Sequence, residues 1–282
     1  MRETAPPIIA PTTRGFSLIE LSVVVLIIGI LIYMTLAAGR EQLEIARIKQ
    51  TQYKLQKIQT ALAVYLKTFG YLPCPADGTA AINSATFGAQ SRNSANSMAD
   101  SVLTDSSCSA NLVDFVPVVY IGVVPVTTLG MSPESMFDGW GNRITYIVSI
   151  PCIDPDNWVS SSRFKCVDTS GGNQIDGDYI TLSGTNGQSW PANAAYMTIS
   201  YGRSGNGAWS RTGTRNGINV ASTAPAELTN GNINASGASL SAGFANSGYY
   251  DQPINDGDIK SNYYDNITAW ATAPQLYYFS NH

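Results

Sequence analysis

Between Phe16 and Ala38 the chain runs for 23 residues with one charged side chain, Glu20. A helix of that length and hydropathy is long enough to cross a bilayer, which takes about 20 apolar residues. Helical character does not stop there. Residues 40–68 contain neither proline nor glycine, and Ile48, Leu55, Ile58, Leu62 and Tyr65 or Leu66 recur at helical spacing with Gln, Lys and Thr between them. Gly70 and Pro73 then stop the pattern. A helix from Phe16 to about Thr68 would be roughly 80 Å long at 1.5 Å per residue. No small domain buries such a rod throughout. Its apolar half needs lipid or other subunits, and its striped half packs on its own domain.

The apolar run has two ordinary readings. A secretory signal would have an apolar core of about 7 to 15 residues before a small-residue cleavage site. This run is longer, although Thr35-Leu36-Ala37-Ala38 resembles such a site. A plain anchor fits the length but leaves Glu20 unexplained, and a carboxylate inside an apolar span marks function by default.

From Gly70 onward the periodicity changes. Residues 144–150, 178–182 and 195–201 read as strands bounded by Gly, Asn, Asp or Pro. Antiparallel pairing would give a sheet with one apolar face to cover the helix stripe, an α+β arrangement. Val116–Val126, interrupted by Pro117 and Pro125, suits an edge strand or a covering loop. Residues 79–110 and 202–250 are insert-like, rich in Ser, Asn, Gly and Ala, and read either as ordered loops or as flexible decoration.

Composition narrows the chemistry. The lone histidine is His282, the net charge is −4, and charged residues make up 13% of the chain, against about 25% in ordinary soluble domains. Histidine-based triads and zinc sites are thereby disfavoured. There is no phosphate-binding Gly-x-x-x-x-Gly-Lys-Ser/Thr run. No base–nucleophile constellation emerges, so the chain is not read as an enzyme, and nucleic acid is not expected as a partner. Charge is segregated: Arg40–Lys67 holds six basic and two acidic residues, and everything after it holds eight basic and sixteen acidic. That division suits lateral packing of a basic stem on an acidic head, or contact of the stem with anionic lipid.

Cys74, Cys108, Cys152 and Cys166 match neither a zinc ribbon nor a Cys-x-x-Cys redox site. Two disulfides in an oxidising compartment fit better. Of three pairings, Cys74–Cys108 with Cys152–Cys166 is favoured because each closes a polar loop locally. Acidic clusters at Asp154–Asn157, Asp176–Asp178 and Asn255–Asp258 have the oxygens calcium takes, but none completes an EF-hand. Structural turns are the preferred reading.

Arg14-Gly15-Phe16-Ser17-Leu18-Ile19-Glu20 resembles the processing site of type IV prepilins and type II secretion pseudopilins. The resemblance implies a leader over residues 1–15, cut by a prepilin peptidase between Gly15 and Phe16, and methylation of the new N-terminus at Phe16. It also implies a transmembrane and filament-core half-helix over 16–39, an amphipathic half over 40–68, and a disulfide-linked head over 69–282 with long polar insertions. The implied fold is type IV pilin-like, a long N-terminal helix packed on an antiparallel sheet. Glu20 would neutralise the Phe16 ammonium of a neighbouring subunit. Since an unpaired buried charge is costly, that pair fixes stagger more than it adds attraction.

Further segments resemble relatives of the same family: Tyr71–Gly78, the turn Phe137-Asp138-Gly139-Trp140-Gly141-Asn142, and Ser200–Trp209. Gly139 stands where the common major pseudopilin has proline. Some relatives hold calcium in a C-terminal loop, which singles out Asp256 and Asp258 if any cluster binds. The implied function is a structural subunit, minor by its size, of a type IV pilus or a type II secretion pseudopilus. Its implied partners are other pilin or pseudopilin subunits, the inner-membrane assembly platform and, before assembly, the bilayer. The head would stand in the periplasm and later on a periplasmic or extracellular filament. The alternative is a pilus-associated surface-binding or adhesive module.

Overall fold

In the computed structural model, the described residues are 15, 17–92, 108, 113–114, 119–149, 152–153, 180–183, 189–217, 230, 248–250, 264–272 and 275–276. The chain divides into two compact units, Met1–Ile45 and Ala46–His282.

One helix, α1 (Leu18–Phe69), contributes to both units. It begins within two residues of the expected Phe16 and ends one past Thr68. Glu20 lies in its first turn and Lys67 in its last, each favourable to the helix dipole. At its end Gly70 adopts φ 83° and its N–H donates to the Leu66 carbonyl at 2.7 Å. That is a left-handed C-terminal cap, a conformation glycine reaches without a Cβ penalty.

In the first unit the apolar side chains of α1 are exposed, from Leu18 at 87% to Tyr33 at 76%. Among the described residues no helix is long and apolar enough to cross a membrane. The stretch of the apolar run with described side chains, 17–33, is itself shorter than the ~20 residues a span takes.

In the second unit the helix stripe is buried as its spacing requires. Leu55, Ile58, Leu62 and Leu66 are in the core, and Ile48 packs at its margin. Burying each such side chain is worth about 1.5–3 kcal/mol.

Among the described residues the sheet has seven strands: β1 (Val113–Asp114), β2 (Val119–Val123), β3 (Thr145–Ser149), β4 (Ile180–Ser183), β5 (Ser189–Ser200), β6 (Gly248–Tyr250) and β7 (Ile267–Thr272). Strand β5 organises it. One edge pairs antiparallel with β3 through Tyr196–Ile199 and with β4 through Ser189–Ala194, while the other pairs antiparallel with β7. Three strands lie on the segments read from sequence. β7 lies outside them, and β4 pairs β6 in parallel, so the sheet is not purely antiparallel. β2 lies between β1 and β3 and so is not an edge strand, and Pro125 falls after its last paired residue, where proline removes no ladder bond.

The helix meets the sheet on the Tyr146 and Tyr196 face. Burial raises the Tyr196 hydroxyl pKa well above its usual value, with Gln59 of the helix opposing the shift, and the two tyrosine rings stand 6.2 Å apart. Tyr146 donates to the Pro73 carbonyl at 3.3 Å. Every residue of β3 is buried. A strand covered on both faces reads as a continuous apolar run instead of an alternating one.

The insert-like regions are in part core. In residues 79–92 Phe87 is buried and stacks 6.2 Å from Phe137. In 202–217 Trp209 is buried and bridges both Arg143 and Arg215. Arg143 is fully buried, and its guanidinium donates to the carbonyls of Gly78 and Arg211, each at 3.0 Å. It sits 5.1 Å from the Phe87 ring centre. Burial lowers its pKa, and Asp77 acts in the opposite direction.

Candidate functional site

The N-terminal motif opens α1. Gly15 is exposed, and a Cβ built there meets nothing within 4 Å. The fold therefore makes no demand for glycine at this position. Phe16 lies outside the described residues. Ser17 accepts the Leu21 N–H at 3.1 Å, the first intrahelical bond, and the Ser22 hydroxyl donates to the Ile19 carbonyl at 2.8 Å. Glu20 is exposed, and among the described residues no hydrogen bond or ion pair engages its side chain. This carboxylate sits on an apolar helix surface, placed there by helix geometry.

In the second unit, the turn at 137–142 is built around Asp138. Its Oδ1 accepts the N–H groups of Trp140 and Asn142, both at 2.9 Å, and its Oδ2 accepts the Ser200 hydroxyl at 2.8 Å. The Asp138 N–H closes the turn on the Asn142 carbonyl at 2.8 Å. Burial raises the Asp138 pKa, and these donors oppose that shift. Trp140 is half-buried and packs against the core. The carboxylate holds the turn by hydrogen bonds and the indole by packing on the core.

Cys74 and Cys108 form a disulfide, Cys152 is disulfide-bonded, and no described cysteine is free. Cys166 lies outside the described residues, as do Asp256 and Asp258. Among the described residues no group of three or more His, Cys, Asp and Glu side chains gathers at one point. Sequence reading did not single out Arg143 or Thr51. Thr51 is fully buried and stands in the stripe between Ile48 and Leu55; a hydroxyl at an apolar-stripe position was the available signal.

No curated protein and no solved structure matches the chain. Residues 11–35 match the family described as the prokaryotic N-terminal methylation motif. The matched segment contains Gly15, Phe16 and Glu20 and runs into the exposed apolar part of α1. The chain thus carries the signature of type IV prepilins and pseudopilins.

Proposed function

We propose that this chain is a structural, non-enzymatic subunit, a minor one by its size, of a type IV pilus or a type II secretion pseudopilus. The observation that carries the reading is the methylation motif continuous with a helix whose apolar side chains are solvent-exposed from Leu18 to Tyr33. Apolar surface costs about 25 cal/mol per Å² in water, so this segment needs a bilayer first and neighbouring helices afterwards. Prepilin peptidase cuts between Gly15 and Phe16 and methylates Phe16. The assembly platform of the inner membrane then moves the subunit from lipid into a filament. Glu20 accepts the Phe16 ammonium of a neighbour and sets the stagger. The Cys74–Cys108 disulfide fits a head in the periplasm, then on the filament surface.

Mass spectrometry of the membrane-extracted chain tests processing: the N-terminus should be a methylated Phe16, and a retained Met1 overturns it. Glu20→Ala should leave cleavage intact and cut the amount recovered in sheared filaments at least tenfold. Wild-type recovery of that variant overturns the pairing.

A further inference from the structure

The apolar stripe explains why the helix lies on the sheet, but not where it sits along its own axis. Apolar side chains repeat at each turn, so a slip of one turn, about 5.4 Å, exchanges one dispersion contact for a similar one. Axial register needs directional contacts. Three of them gather at the N-terminal end of the buried stripe, near where the chain enters the second unit. The Gly139 N–H donates to Thr51 Oγ1 at 2.9 Å, and that hydroxyl donates to the Arg47 carbonyl at 2.9 Å. Lys54 Nζ donates to the Phe137 carbonyl at 2.6 Å and the Glu134 carbonyl at 3.1 Å.

Shape adds to direction. A Cβ on Gly139 would stand 2.5 Å from the Arg47 carbonyl oxygen and 2.9 Å from that residue's carbonyl carbon and Cα. The helix backbone is therefore seated in a notch that only glycine leaves open. On its other side the turn is tied to β5 by the Asp138–Ser200 hydrogen bond.

We infer that the Phe137–Asn142 turn is an axial latch. It grips the helix turn Arg47–Lys54 in one register and is the point at which tension carried along α1 enters the second unit. Two polar contacts from the turn, a third at Glu134 just before it, and the steric notch resist sliding together. Any residue but proline has the N–H that Thr51 accepts; it is the notch against the Arg47 carbonyl that requires glycine. The assignment of tension rests on the filament reading; the latch itself does not.

Hydrogen exchange on the full chain in detergent tests the latch. Thr51→Val should speed exchange of the amides at 47–54 about tenfold while the buried amides of β3 and β5 keep their protection, and Thr51→Ser should restore the wild-type pattern. Gly139→Ala should act as Thr51→Val does. Unchanged exchange at 47–54, or equal acceleration in β3 and β5, overturns the latch. Pulling the full chain by its two ends tests the tension role: Thr51→Val should lower the first rupture force by about half, and an unchanged force overturns it. Should Phe16 prove unmethylated, the filament reading fails while the exchange result stands.

Discussion

The two parts of α1 share one backbone and differ in what they ask of their surroundings. From Leu18 to Tyr33 the side chains are apolar on nearly all sides and exposed; after Ala46 a stripe is buried and the exposed side is mostly polar, with Tyr53, Val64 and Phe69 as exceptions. An apolar surface all round selects a low-dielectric medium, with no preference for one neighbour. A stripe selects one partner and one rotation. The first part thus asks for apolar surroundings of any kind and the second for one fixed partner.

Truncation should separate the two most strongly. Leu62→Ala removes a fully buried side chain and should cost about 2–5 kcal/mol, read as a fall in the unfolding midpoint of the full chain in detergent. Ile28→Ala, at an exposed position, should leave that midpoint within about 0.5 kcal/mol of wild type. Equal losses would break the comparison.

A smaller effect is expected from pH. Because burial raises the Asp138 pKa in the fold, the folded state holds that proton more tightly than the unfolded chain. Its contribution to stability is full below the ordinary carboxylate value, about 4, and is lost as pH rises through the raised folded value. Asp138→Asn keeps an acceptor for the two turn amides and does not titrate. Thermal melts from pH 4 upward should therefore show the stability of wild type relative to Asp138→Asn declining as pH rises. A constant difference would remove Asp138 as the titrating group.

The smallest effect on folding is expected at Gly15. With open space around its missing Cβ, Gly15→Ala should not change the unfolding midpoint measurably. If the peptidase is what requires glycine, the same variant should retain its leader in a membrane fraction examined by mass spectrometry.

Local pattern carried much of this. Helical spacing marks the stripe from Ile48 to Leu66, and a β-branched run marks β3. The motif around Gly15 and Glu20 is legible because its meaning is a short string of residues. β7 is not legible in the same way, because Ala269 and Ala271 offer no hydrophobic alternation; its strand state comes from pairing with Tyr196–Ser200. The parallel β4–β6 contact joins segments far apart in the chain, and no local propensity announces it. The Asp138 turn is visible as a turn, but its partners Ser200 and Thr51 come from a strand and a helix that only the fold brings together.

The buried guanidinium of Arg143 has a wider consequence. Its charge is compensated by carbonyls from two separate loops, at Gly78 and Arg211, and its own backbone N–H is bound by the Trp209 carbonyl at 2.7 Å. If either loop lifts away, the guanidinium loses one of its two carbonyl acceptors, which costs more for a charged group than an ordinary lost hydrogen bond. The described stretches around Gly78 and Arg211 are thereby tied to the core through one side chain. A single arginine thus couples two stretches of chain that are 133 residues apart in sequence, so that loosening one weakens the hold on the other.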